Sequence, residues 1–412
     1  MAPLLGAATV WLEHRYYGLS QPYGADYLNH LAYLSQAQAL ADYATLLFDI
    51  REELGDRRTP IIGFGSSYGG ELVVKMRMKY PHLLTGGIAS SAPVGAYYEM
   101  DPAYDGGSFA AKVTQCATPY GLADAACVPN VRAGFIEIER LGKDAKGQRE
   151  LSSALYLCPW ARVRSSEDAE VMKSFIADAW MSWGTGNGPG NGYPIAEACY
   201  ALGGVDNANV TDALQNSTEL LDGVAFAVAG LTQSTYCIDV SDYTTGDQMS
   251  IYGPVSVVDL YGYDNETSLS DGFTRSGLVY NYQTCTEMFA PFSTDGVHDM
   301  FPPEQWVFSE QVGYCQDVYN VEPSTVTQAV MYGGRDIDGL TNLVFVNGLL
   351  DAWLGGEITE SRTLPVINIP LAGHGDDLFP ASELDPPELT KARQTEFEYV
   401  QSWIRKARDS TG

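Results

Sequence analysis

The 412-residue chain predicts an α/β fold: a mostly parallel sheet flanked by helices, with an inserted, mainly helical cap. Three observations predict it. Short apolar runs alternate with stretches of helical periodicity over residues 8–91 and again from residue 342 to the end. A glycine-bracketed turn, Gly65-Ser-Ser-Tyr-Gly-Gly70, joins a run of strand character to one of helical character. Between residues 97 and 279 the alternation stops, and helical stretches, Gly/Asn-rich turns and most of the cysteines replace it.

In chain order, residues 8–13 form a short apolar run that reads as a buried strand. Residues 34–54 carry Leu40, Tyr43, Leu46, Leu47 and Ile50 at helical spacing and predict an amphipathic helix. Residues 60–64 are a second buried strand. Residues 68–80 are a helix stopped by Pro81, and residues 87–91 are a third strand. Late in the chain, 342–347 and 364–369 read as strands, and 388–408 as a closing helix with Ala392, Phe397, Val400 and Ile404 on one stripe. The expected division is residues 1–96 with 280–412 for the α/β part and 97–279 for the cap.

Composition bounds the function. Hydrophobic residues make up 45% and charged residues 18%, which suits a packed globular core. The net charge of −28 excludes nucleic acid as a partner, because no basic surface is available to neutralise phosphates. Such acidity suits either solubility or work at low pH, where carboxylates lose charge and self-repulsion falls. None of the seven cysteines forms a Cys-x-x-Cys pair, so no metal site is expected, and no cofactor is implied. Asn209-Val-Thr, Asn216-Ser-Thr and Asn265-Glu-Thr are glycosylation sequons within the cysteine-bearing region, which favours a secretory protein. No apolar run is long enough to span a membrane. The first residues lack a basic stretch followed by a full apolar one, so no signal peptide is expected at Met1.

The chemistry sits at Gly65–Gly70. A sharp strand-to-helix turn brings backbone segments close together, which glycine permits. It would hold Ser67 at the C-terminal edge of the sheet, before a helix N-terminus that favours developing negative charge. A serine hydroxyl needs a positioned base. Of five histidines, His374 follows the strand at 364–369, and Asp351 follows the strand at 342–347, so both belong to the same sheet edge as Ser67. Their order, Ser then Asp then His, is that of an α/β-hydrolase triad. His14 precedes the serine and His298 precedes the Asp351 strand, so both have the wrong order. The rival acids Asp376 and Asp377 follow His374. The long stretch between Ser67 and Asp351 fits a cap inserted over the active-site edge, which would admit only small substrates or chain ends.

With these residues in place, a family resemblance emerges. Glu13-His-Arg-Tyr-Tyr-Gly-Leu-Ser-Gln-Pro22 resembles a signature of the proline-specific serine peptidases, the family of lysosomal Pro-X carboxypeptidase and dipeptidyl-peptidase II. So do Ser67-Tyr-Gly-Gly70, Met76-Arg-Met-Lys-Tyr-Pro-His82, Ser90-Ser-Ala-Pro93, Tyr282-Gln-Thr-Cys-Thr-Glu-Met288, Asp295-Gly-Val-His-Asp-Met-Phe301, Met331-Tyr-Gly-Gly334 and Asn347-Gly-Leu-Leu-Asp-Ala-Trp353. The resemblance implies Ser67 as nucleophile, Asp351 as acid and His374 as base. It also implies the Tyr68 N–H as one oxyanion donor and Trp353 as a wall of the proline pocket. It implies cleavage after proline in short peptides in acid, a secreted or lysosomal/vacuolar location, and a homodimer. It implies the disulfides Cys127–Cys199, Cys158–Cys237 and Cys285–Cys315, with Cys116 unpaired.

Three departures accompany the resemblance. The family's upstream strands and its second oxyanion donor are expected to be missing from this chain, so the alternative expectation is a catalytically impaired fragment. Glu71 stands where relatives carry an apolar residue near the specificity pocket, and either contacts a substrate amine or points away. Ser293 replaces a family cysteine. An esterase on the same scaffold is disfavoured by the motifs.

Overall fold

A computed structural model describes residues 1–202, 210–215, 217–229, 237–240 and 269–409. The sequons at Asn209, Asn216 and Asn265 lie outside the described residues.

The fold is mixed α/β, built on a four-stranded sheet in which β1 (Ile62–Ser66), β2 (Gly86–Ser90), β3 (Leu343–Gly348) and β4 (Val366–Ile369) run parallel in that spatial order. Sequence neighbours pair side by side, with Ala89 aligned to Phe345 and Phe345 to Val366. The long excursion between β2 and β3 therefore leaves and re-enters the sheet between two adjacent strands. Parallel pairing requires crossovers, and helices supply them. Helix α1 (Gln36–Glu53) is capped by Ser35, whose hydroxyl accepts the Gln38 N–H at 3.2 Å. Helix α2 (Tyr68–Lys79) ends one residue before Tyr80-Pro81.

The period-2 geometry of β3 sorts its side chains to two cores. Leu343 and Phe345 face one core with Leu40, Leu47, Leu72 and Val74 from α1 and α2. Val344 and Val346 face the other, with Leu389, Val400 and Trp403. Those three belong to the closing helix at Pro387–Asp409. Both faces of β3 are thus covered, and all six of its residues are buried, which explains why the strand reads as a continuous apolar run. Gly86 lies under Trp403: a Cβ there would meet the indole at 2.3 Å, so only glycine permits this approach.

Residues 8–13 do not form the expected strand. Val10 is 53% and Trp11 91% exposed, and none of the described strands pairs with the segment. Apolar composition alone does not make a strand; the backbone must also engage the hydrogen bonds of a neighbouring strand. The signature that follows is architectural in this fold. Glu13 Oε2 accepts the N–H groups of Leu19 and Ser20 at 3.0 and 2.8 Å. Tyr16 is wholly buried and donates its hydroxyl to the His30 carbonyl.

After β2 the described chain is helical: α3 (Ser108–Cys116), α4 (Cys127–Gly142), α5 (Ala145–Ala154), α6 (Ser166–Thr185), α7 (Pro194–Leu202), α8 (Val210–Gln215) and α9 (Ser217–Ala229). All but α8, which packs in a smaller cluster with Ala133 and Leu220, share a core that includes Phe109, Val113, Ile138, Met172 and Trp180, and the same core takes in Leu350, Ala352 and Trp353 from the loop after β3. Helix α10 (Leu269–Thr286) leads back toward the sheet, and the division expected at 279/280 falls inside it. Disulfides Cys127–Cys199 and Cys158–Cys237 tie this region together, and Cys285–Cys315 ties α10 to α11 (Phe308–Tyr319). These are the pairs the resemblance implies, and Cys116 is free and buried.

Candidate active site

Ser67 sits between the end of β1 and the first turn of α2, at φ 58° and ψ −130°. A non-glycine residue there costs on the order of 1–3 kcal/mol and persists only where its surroundings impose it. Here the Ser67 N–H donates to the Ser90 carbonyl at 3.0 Å, and the Ser67 carbonyl accepts the Glu71 N–H at 3.1 Å. The glycines permit the turn unequally. A Cβ on Gly65 would lie 2.2 Å from the Gly69 carbonyl, and one on Gly70 would lie 2.8 Å from the Ser90 carbonyl. Gly69 has open space around it, so the steric requirement falls on the first and last glycines of the turn. The Tyr68 N–H opens α2, where backbone donors lack intrahelical acceptors.

Asp351 and His374 come together across β3 and β4. His374 Nδ1 lies 2.7 Å from Asp351 Oδ2, with the aspartate side chain fully buried and the histidine 10% exposed. The second oxygen, Oδ1, accepts the Trp353 N–H at 2.8 Å. Burial alone would raise the Asp351 carboxyl. The charge and hydrogen bond of His374, with the other donors, outweigh burial and hold it below its usual range. With Nδ1–H donating to Asp351, the imidazole presents Nε2 as a proton acceptor. The His374 loop meets the serine turn through its neighbour: the Gly375 N–H donates to Ser91 Oγ at 2.9 Å, and a Cβ on Gly375 would lie 2.3 Å from Ser66 Oγ. No hydrogen bond within 3.5 Å joins Ser67 Oγ to His374 among the described contacts. Such bonds commonly tighten only when substrate is bound.

The rival acids are employed elsewhere. Asp376 Oδ2 accepts the Gly373 N–H at 2.6 Å, and Asp377 Oδ1 accepts the Ser90 hydroxyl at 2.5 Å. Arg393 clamps the same loop through the carbonyls of Asp376 and Asp377, at 2.7 and 2.9 Å. These residues therefore fix the histidine loop rather than orient the imidazole. Of the other histidines, His14 hydrogen-bonds the Tyr68 hydroxyl at 3.1 Å and His298 pairs with Asp295 at 2.6 Å.

Trp353 is 7% exposed and packs edge-on against Phe109 and Phe292, with centroids at 5.2 and 5.4 Å. Its indole N–H has no acceptor among the described residues. Of the two places the sequence left open for Glu71, the structure has the second. Its carboxylate, 1% exposed, pairs with Lys75 Nζ at 2.8 Å and accepts from the Tyr97 hydroxyl, so it points inward. Lys75 is itself held by Gln36 at 2.7 Å and lies 4.8 Å from the Tyr332 ring centre. A buried carboxylate completed in this way meets the cost of desolvation internally and needs no substrate amine.

Sequence reasoning passed over Glu357. It is 2% exposed, and one of its carboxyl oxygens lies within 4.8 Å of a carboxylate oxygen of Asp351 and a ring nitrogen of His374. Three such groups could in principle ligate a metal, but the 2.7 Å Nδ1–Oδ2 contact already joins two of them by a hydrogen bond. Nothing around Glu357 in the sequence marks it as part of a site; only the turn at Ala352–Gly356 carries it there. Arg335 braces that turn, donating to the carbonyls of Gly355 at 2.8 Å and Glu357 at 3.4 Å.

With this geometry described, comparison with known proteins gives a consistent result. The profile of the family described as "Serine carboxypeptidase S28" matches residues 1–396. The chain is 33% identical over 428 positions to the lysosomal Pro-X carboxypeptidase of Pongo abelii and 32% identical to that of Homo sapiens, covering 100% of this chain and 78% of each relative. It is 31% identical over 425 positions to the thymus-specific serine protease of Mus musculus, covering 100% of this chain and 77% of that protein. Lysosomal relatives and three disulfides fit a lysosomal or secreted protein, and no helix among the described residues is long and apolar enough to cross a membrane. A match from Met1 to residue 396, on an α/β fold with a parallel sheet, means that the chain belongs to the serine carboxypeptidase S28 family and is a serine peptidase.

Proposed function

We propose that the chain is an exopeptidase that hydrolyses short peptides after proline through an acyl-enzyme on Ser67. The observation that carries the reading is the Asp351–His374 pair, buried and 2.7 Å apart, at the same sheet edge as the strained turn bearing Ser67. His374 Nε2 takes the proton of Ser67 Oγ as the hydroxyl attacks the scissile carbonyl, and returns it to the leaving amine. Asp351 fixes the tautomer and stabilises the imidazolium. The Tyr68 N–H donates to the developing oxyanion. Water then attacks the acyl-enzyme with His374 again as base. Trp353, held edge-on by Phe109 and Phe292, supplies an apolar surface of the kind a proline ring packs against.

The segment 97–279 serves as a cap, and the core that its described helices share with the loop carrying Asp351 and Trp353 ties access to the catalytic edge. Buried carboxyls support operation in acid. Asp377 is pushed up to about 6, chiefly by burial, and Asp376 is raised for the same reason. The histidine loop they hold is therefore best satisfied below neutrality. The reading is tested with a proline-based chromogenic peptide substrate in mild acid. Ser67→Ala should lose on the order of 10⁶-fold in kcat, as loss of an acylating serine typically does. Equal rates for the two proteins would refute it.

A further inference from the structure

We propose that Glu357 is a positioning residue for the triad: as the neutral acid it donates a hydrogen bond to the Asp351 carboxylate, and so moderates how strongly that carboxylate holds a proton on His374. The proposal rests on the triad reading above and extends it to a residue that the catalytic motifs do not mark.

The argument begins with hydrogen-bond accounting. Glu357 is 2% exposed, and neither of its oxygens meets a donor among the described residues. An ionised carboxylate left so is the costliest of buried groups. Asp351, within 4.8 Å, stands in the opposite condition: His374 Nδ1 serves one of its oxygens and the Trp353 N–H the other. Two carboxylates side by side in a dry site do not both ionise. The charge settles on the one with donors, Asp351, and the proton on the one without, Glu357. A protonated Glu357 then has one neighbouring acceptor to turn to, the spare lone pairs of Asp351, and a side-chain hydrogen bond between the two carboxyls lowers Asp351 and raises Glu357.

The surroundings agree. Burial first, and then the Asp351 charge, push the Glu357 carboxyl well above its ordinary range. Asp377, from the loop after β4, pushes the same way, while Lys112 on α3 opposes. The Lys112 ammonium is engaged by Gln115 at 2.6 Å and the Leu349 carbonyl at 3.4 Å. Arg335 touches only the backbone carbonyl of Glu357. His374 is bound to Asp351, which leaves the carboxyl–carboxylate contact as the remaining interaction for Glu357. No proton leaves Glu357 during turnover. Its effect is to spread part of the Asp351 charge, so that the imidazole is freed as a base at lower pH.

The experiment follows kcat/KM against pH for the full chain, together with the rate of Ser67 labelling by a fluorophosphonate. Wild type, Glu357→Gln and Glu357→Ala are compared, with thermal melts to show that each is folded. Glu357→Ala should move the acid limb of both profiles up by about one pH unit, as expected for loss of one hydrogen bond to a charged group. Glu357→Gln keeps a neutral donor and should return the limb close to wild type. If Glu357 is instead ionised, both variants remove a negative charge from the imidazole's surroundings, and the limb moves to lower pH. That result, or an unmoved limb in Glu357→Ala, overturns the proposal. Wild-type protein that is not labelled at Ser67 overturns the triad reading and this proposal together, whereas labelling with an unmoved limb overturns only the latter.

Discussion

At the scale of single residues, the site is a set of side chains whose surroundings leave them one role each. Ser67 is held at φ 58° by its own backbone hydrogen bonds, and Asp351 is buried with a donor on each oxygen. Asp351→Asn should leave the fold intact while lowering kcat about 10⁴-fold, because an amide permits the wrong imidazole tautomer. Kinetics on a proline substrate, paired with a thermal melt, checks this, and a loss below tenfold would remove Asp351 from the proposed triad. Ser67, Asp351 and His374 were legible in the sequence because each follows an apolar strand, in a fixed order. Glu357 was not legible, because a glutamate after two glycines carries no periodic or motif signal. Glu71 was left with two orientations for a related reason: its partner Lys75 is visible one helical turn away, but that the pair turns inward is decided by packing.

At the scale of elements, the outcome depended on whether a run of residues had something to pair with. The four strands and the helices α1, α2 and Pro387–Asp409 follow from local pattern, because the sheet covers their apolar faces. Residues 8–13 have the same composition as a strand but pair with none of the described strands, and Trp11 remains 91% exposed. The helical region depends more on covalent ties. Cys127 and Cys199, 72 positions apart, join the start of α4 to α7 in one core. Replacing both with alanine should cost about 2–4 kcal/mol, since the unfolded chain regains the entropy of a long open loop. Urea unfolding of the double variant measures it. A midpoint unchanged from wild type would show that the helical core holds without the link.

At the scale of the whole molecule, the acidity has a structural expression. Alongside the surface charge behind the net −28, the protein buries carboxyls that the fold prefers neutral. Glu396, wholly buried with both oxygens lacking donors among the described residues, is pushed up to about 9 by burial and then by Asp377. Asp377 reaches about 6, and Glu287 and Glu357 are also raised. A carboxyl whose folded value lies above its unfolded value binds its proton more tightly in the native state. Its contribution is complete below the ordinary carboxylate range and is lost as pH rises through about 6 for Asp377 and on toward 9 for Glu396. Asp351 acts in the opposite sense, since its lowered value favours the fold as pH rises. Other lowered carboxyls, such as Glu137 and Asp295, share that sense, but their contribution is complete by the top of the ordinary carboxylate range; between pH 5 and pH 8 the raised carboxyls outweigh the lowered His14, so the melting temperature should fall, and Glu396→Gln should reduce that fall by about 2–4 °C. A melting temperature that rises over this range would refute the assignment.

The sequence alone determined the α/β class, the order of the four paired strands and the helices beside them, and the three residues proposed for catalysis. These properties are written in local periodicity and in spacing along the chain. Only the tertiary structure decided which apolar run finds an edge, that Asp376 and Asp377 serve the histidine loop, and that Glu71 turns inward while Glu357 turns toward Asp351. Those outcomes depend on which groups share a dry interior. There the energy of a charge or an unpaired donor is set by neighbours far away in the chain, and no local pattern encodes them.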